Sequence, residues 1–118
     1  MTAGHWKDAE PTPMAVEGAR GVTRRLLVSP ADGWEGWVMR AFEVAPGGHT
    51  PRHVHAWPHI NVGLEGNGVV TIGGQEHELR PGGYAFVPAG TLHQFSNPGD
   101  EPLAFVCIVP TEGDPQAE

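Results

Sequence analysis

Apolar residues along the 118-residue chain come in short runs, separated at close intervals by polar, glycine- and proline-rich breaks. Runs of this kind bounded by turn residues predict strands. They fall near Gly21–Val28, Gly36–Ala45, His59–Leu64, Gly68–Ile72, Gln75–Leu79, Tyr84–Val87, Leu92–Ser96 and Leu103–Val109. No window keeps a helical apolar period, so almost no helix is expected. The repeated short spacing predicts an all-β sandwich or barrel. Between "VVTI" and "QEHEL", Gly73-Gly74 supplies the positive φ angles of a tight hairpin. In its second arm Gln75, His77 and Leu79 alternate with Glu76, Glu78 and Arg80, as in a partly exposed edge strand. The chain then turns back at "RPGGY".

Composition changes this picture little. The chain has 17 glycines and 12 prolines, near the level at which disorder becomes a live reading. They cluster, however, as Pro46-Gly47-Gly48, Pro81-Gly82-Gly83, Pro88-Ala89-Gly90 and Asn97-Pro98-Gly99, which is turn punctuation. A polar, proline-containing start predicts a flexible arm over residues 1–15. One barrel domain is expected over 16–110, and an acidic, disordered tail over 111–118. The net charge of −7, without a basic stripe, argues against nucleic acid as a partner. Cys107 is the single cysteine, which excludes an intrachain disulfide and a thiolate metal cluster. Nothing has the length and apolarity of a signal peptide or membrane span, so a cytoplasmic location away from membranes is expected.

The candidate chemistry lies in "HVHAWPH", residues 53 to 59, which holds three of the seven histidines. In a strand, positions i and i+2 share a face, so His53 and His55 would project together. Pro58 bends the chain before His59, and parity alone does not place that residue. Neutral imidazole is a good ligand for Zn, Cu, Fe and Ni. Alone, the stretch reads equally well as a polar loop. A second stretch, "GGYAFVPAGTLHQFSN", opens a strand with His93 and places Phe95 on its face.

Together the two stretches resemble the cupin family. Its first motif is matched by Gly47, five residues, His53 and His55, three residues, His59 where the family carries glutamate, and six residues to Gly66. Its second is matched at every spacing by Gly82, Pro88, Gly90, His93 and Asn97. The resemblance implies a double-stranded β-helix, a single-domain jelly-roll barrel. It also implies one divalent transition metal held by His53, His55, His59 and His93, similar to small bacterial cupins with four-histidine sites, several of which bind manganese. Four neutral ligands leave the ion its full +2 charge, which favours anionic or enolate-like ligands and the lower oxidation state. Two positions of an octahedral ion stay open, as in a catalytic site. Manganese or iron is favoured; Zn, Ni and Cu would also be accepted.

Other candidates carry two readings each. Arg40 shares a strand face with Val38, Phe42 and Val44; it orients a substrate carboxylate inside the barrel or puts its head in water at the rim. Phe42, Phe95 and Phe105 read as core aromatics able to line a pocket. Trp57 packs under the ligand loop or walls the metal entrance. Cys107, in "LAFVCIV", is a buried small hydrophobe or a neighbour of the metal. His49 is placed at the site's mouth or in solvent, and His5 and His77 in solvent. The two open positions, able to take substrate and oxygen together, point to a metal-dependent, oxygenase-like oxidoreductase acting on a small-molecule substrate. Its rivals are a non-catalytic metal- or ligand-binding cupin and a metal-dependent isomerase. Resemblance and small size together imply a homodimer.

Overall fold

The computed structural model describes residues 2–114. Nine strands run in the order β1 (Pro11–Pro13), β2 (Arg20–Val28), β3 (Trp37–His49), β4 (His59–Glu65), β5 (Gly68–Ile72), β6 (Gln75–Leu79), β7 (Tyr84–Val87), β8 (His93–Ser96) and β9 (Leu103–Pro110). Every expected strand forms, and β5, β6 and β7 have the residues that the pattern predicted. Helical structure among the described residues amounts to three single 3-10 turns, at Trp6–Asp8, Pro30–Asp32 and Thr111–Gly113.

All strand pairs are antiparallel, in the order β6-β5-β8-β3-β9-β4-β7, with β2 also on β3 and β1 on β2. The long β3 turns this path into a nearly closed barrel. Its first part pairs with β9 from Trp37↔Pro110 to Val44↔Leu103, while His49 at its end pairs with Ser96 of β8. The strand therefore runs past Ala45, where the sequence pattern ends it. Pro46-Gly47-Gly48 makes a corner that the strand continues around, rather than a turn that stops it. A Cβ on Gly48 would lie 2.4 Å from the Arg20 carbonyl oxygen, so only glycine fits the corner. At the hairpin, Gly73 and Gly74 have φ of 57° and 86°, as the pair Ile72↔Gln75 requires.

Alternate residues point inward and form the core: Val38, Phe42 and Val44 from β3, Phe105 and Val109 from β9, and Val70 and Phe95 from β5 and β8. The Phe95 and Phe105 rings stack at 4.3 Å, with Phe42 at 5.7 Å from Phe105. These three rings make an aromatic floor inside the barrel. Outside, the partners Met39, Ile108, Ile60 and Phe86 form one apolar row across β3, β9, β4 and β7, and Ile60 and Phe86 are exposed.

Both chain ends differ from the sequence-based expectation. The segment expected as a flexible arm is docked: β1 pairs with β2, and Arg25 Nη1 donates to Lys7 O at 2.7 Å and Ala9 O at 2.9 Å. Backbone oxygens supply part of this docking, beside the Lys7–Glu65 ion pair at 2.7 Å and Arg25 over the Trp6 ring at 5.6 Å, and no apolar period announces it. Of the expected disordered tail, Thr111–Gly113 forms a turn and Asp114 is buried. Residues 115–118 lie outside the described part.

Asn97, the last position of the second motif, is structural. It is buried; Nδ2 donates to Val44 O at 2.9 Å and Glu101 O at 2.7 Å, and Oδ1 accepts from Gly99 N at 3.1 Å. It ties the end of β8 to β3. Replacing it with alanine removes these bonds and orphans a buried carbonyl, at an expected cost of about 2–4 kcal/mol. Urea denaturation checks this; a loss below about 0.5 kcal/mol, within the range of an ordinary surface substitution, would deny Asn97 that role.

Candidate metal centre

His59 opens β4 and His93 opens β8, while His53 and His55 lie in the stretch between β3 and β4. The strand geometry expected for His53 and His55 is not what joins them. His53 forms only an isolated bridge with His93, its N–H donating to His93 O at 3.2 Å and its carbonyl oxygen accepting from His93 N at 3.1 Å. The next backbone tie is Gly90 N to His55 O, at 2.8 Å. The rings nevertheless converge, with centroids 4.9 Å apart for His53–His55, 5.0 Å for His53–His93 and 4.7 Å for His55–His93. One ligand nitrogen from each of these three lies within 4.8 Å of the others. His59 stands outside that trio, but its Nε2 is 3.2 Å from His93 Nε2.

Hydrogen bonds set the tautomers. His55 Nδ1 donates to Trp57 O at 3.1 Å and His93 Nδ1 to Thr91 O at 2.9 Å; carbonyl oxygens only accept, so these nitrogens carry the protons. His59 Nδ1 donates to Asn61 Oδ1 at 2.6 Å. Each Nε2 is then left with a bare lone pair. At 3.2 Å the lone pairs of His59 and His93 repel, unless a cation lies between or beside them. Imidazoles oriented by a second hydrogen bond through the far nitrogen are the arrangement that metal sites use.

All four imidazoles are held neutral. Burial, reinforced by His93, His55 and Arg40, lowers His53 to about 4. Burial lowers His59 to about 3 against the opposing bond to Asn61, and lowers His55 and His93 as well. Folded values below the ordinary 6.5 have a definite thermodynamic sign. Between pH 6.5 and about 3–4 the unfolded chain takes up protons that the folded chain refuses. The metal-stripped protein is therefore expected to keep full stability above pH 6.5 and lose it as the pH falls toward 4. Thermal melts across that range check this, and His59→Gln should flatten the slope. A melting temperature that stays level would mean that the imidazoles are not buried together.

A cavity of about 790 Å³ opens over this cluster. Phe42, Phe95 and Phe105 line it and also belong to the core. Trp57 lines it too, stacked on His55 at 4.6 Å and 9°. Arg40 points inward: Nη1 donates to Gly113 O at 3.2 Å and to Asp114 Oδ2 at 3.3 Å, and Nη2 faces Cys107 Sγ at 3.7 Å. Cys107 is buried on the cavity wall, and burial pushes its thiol up against the opposing pull of Arg40, so it stays protonated at neutral pH. His49 is half-buried and does not line the cavity; His5 and His77 are exposed.

Sequence reasoning missed Asn61, Arg24 and Asp114 at this cavity. Asn61 follows His59 by two residues in β4, so strand parity would have found it. Arg24 pairs with Phe42 across β2 and β3 and so shares the inward face, which only the register reveals. Asp114 arrives from a segment whose polar composition signals nothing.

A small β-barrel with histidines converging on an interior cavity defines a jelly-roll protein with a candidate metal centre. The sequence model of the cupin domain, Cupin_2, matches residues 40–109, more than half of the chain, and the protein belongs to the cupin family. It is 38% identical over 95 residues to 1-methylthio-D-xylulose 5-phosphate methylsulfurylase of Rhodospirillum rubrum, covering 80% of this chain and 60% of that protein. It is 39% identical over 56 residues to the dimethylsulfoniopropionate lyase DddW of Ruegeria pomeroyi, covering 48% of this chain and 37% of that one. The chain thus spans less than two thirds of the length of either curated relative. The polyketide cyclase RemF of Streptomyces resistomycificus shares the fold with a TM-score of 0.85 and 32% identity, over 93% of this chain and 79% of that one. No helix among the described residues is long and apolar enough to cross a membrane.

Proposed function

We propose that His53, His55, His59 and His93 together hold one divalent transition metal, manganese or iron by preference, in an enzyme acting on a small organic substrate. The observation that carries this is the 3.2 Å approach of two Nε2 lone pairs whose protons are committed elsewhere. Such an ion supplies a Lewis acid and, as manganese or iron, a redox centre. The chain's residues do the rest. Trp57 O, Asn61 and Thr91 O fix the imidazoles, the phenylalanine floor keeps water from the cavity's base, and Arg40 orients an anionic group of the substrate.

An oxygenase-type oxidoreductase is the first reading, because manganese or iron held by the four imidazoles would supply redox chemistry at the cavity. A second reading, Lewis-acid chemistry without oxygen, is favoured by the similar proteins, which are named as a methylsulfurylase, a lyase and a cyclase. Oxygen uptake by manganese- or iron-loaded protein, across small diketones, thiols and catechols, separates the two. Uptake supports the first reading; substrate loss seen by NMR without uptake supports the second. Neither change, with the substrate still bound, would leave a binding protein. The row of Met39, Ile108, Ile60 and Phe86 is the face we assign to a homodimer, and a monomeric mass by light scattering at micromolar concentration would remove that assignment.

A further inference from the structure

The charge of the cavity runs against that of the chain. The protein carries −7 overall, yet three of its seven Lys and Arg residues, Arg24, Arg40 and Arg52, line this one cavity. Arg24 and Arg40 have side chains only 11% and 14% exposed. A guanidinium does not give up its proton, so both are buried cations that require anions. Asp114, 2% exposed, serves both. Arg24 Nε donates to Asp114 Oδ2 at 2.8 Å, Arg24 Nη2 closes on the same oxygen, and Arg40 Nη1 reaches it at 3.3 Å.

One carboxylate does not exhaust this pair. Two guanidiniums bring about ten N–H donors between them, and their joint charge exceeds that of Asp114 by one. Among the described residues, Arg40 Nε is buried without an acceptor, and Nη2 has only the weak Cys107 sulfur. Asp114 itself sits on no strand. It follows the single turn Thr111–Gly113, whose backbone ties among the described residues include Thr111 N to Gly36 O and Asp114 N to Thr111 O, both at 3.1 Å. Arg40 also lines the same cavity as His53, His55 and His59. A ligand with one end at the imidazoles therefore meets Arg40 with its other end.

We propose that Arg24 and Arg40 form an anion subsite of the cavity for a substrate carboxylate or phosphate, and that Asp114 is its resident counter-ion, displaced when the substrate binds. The substrate class is then a small organic acid or phosphate ester with a second oxygen donor directed at the histidines. Entry of the anion releases the 111–114 turn from the cavity wall. Asp114 also discriminates: a neutral molecule offers nothing to exchange for it. The inference rests on the reading that substrate binds in this cavity, but not on the metal.

The test uses metal-stripped full-length protein, with inorganic phosphate and acetate as probes and the Arg Nε–H signals in NMR as the readout. Removing an internal competitor raises apparent affinity in proportion to the share of sites it had occupied. Asp114→Asn is expected to bind the preferred probe at least ten-fold more tightly than the wild type, and Arg24→Gln in that background should abolish the gain. The tighter of the two probes names the anionic group. In the wild type, hydrogen exchange at residues 111–114 should accelerate as the probe is added. Equal affinity in wild type and Asp114→Asn overturns the proposal, as does a gain that survives Arg24→Gln. Should Asp114→Asn fail to fold, unchanged exchange at 111–114 in the wild type at saturating probe overturns it. Because no metal is present, failure here leaves the four-histidine reading standing, and the converse also holds.

Discussion

His59→Ala is expected to weaken metal binding by roughly a hundred-fold or more, from about one equivalent retained on purification to almost none. Loss of an orienting partner behind a metal-bound imidazole already costs 10–100-fold, so loss of the imidazole itself costs more. The residue matters because it is not one of the three whose ligand nitrogens cluster; its Nε2 faces that of His93 at 3.2 Å, and its ring lies 5.3 Å from that of His55. Metal analysis of tag-free protein beside the variant checks this. Equal, tight zinc in both would reduce the centre to His53, His55 and His93 and favour isomerase or binding roles. Asn61→Leu offers a gentler probe, because it leaves the imidazole and removes only the acceptor of its Nδ1 proton.

Phe105→Ala carries the largest expected loss of stability, about 3–5 kcal/mol, which is the range for deleting a buried phenylalanine. Phe105 is 1% exposed and stacks at 4.3 Å on Phe95, whose ring supports His59 from 6.3 Å. The space left cannot close by collapse, because it would merge with the cavity above. For a domain of this size the melting temperature should fall by about 10–20 °C. Denaturant melts of metal-stripped protein measure the effect apart from any metal. A loss below about 1.5 kcal/mol would mean that the floor is already wet where it looks dry.

The residues that announce themselves in the sequence are those whose demand is local. Gly73-Gly74 is legible because a tight hairpin needs positive φ whatever surrounds it. The alternation of β3 is legible because one face must be buried. His53, His55 and His93 stand out through their match to the cupin motifs, although the strand expected to pair His53 with His55 does not form. What escapes is what depends on distant partners. Asp114 means nothing until the fold brings Arg24 to it across 90 residues of chain. Arg25 holds the N-terminal segment through carbonyl oxygens, which every residue carries. Even Asn97, visible as a motif position, shows its work only when Val44 O lies beside it.

The bridge between His53 and His93 has a kinetic consequence. Two of the four histidines hang on a stretch fastened to the barrel by that bridge and by the tie from Gly90 to His55, whereas His59 and His93 are built into strands. Such a stretch breathes at far lower free energy than the barrel unfolds. A chelator should therefore strip the ion at a rate set by this local opening, unaltered by concentrations of denaturant that leave the barrel intact. Two of the four proposed ligands would then be their own door.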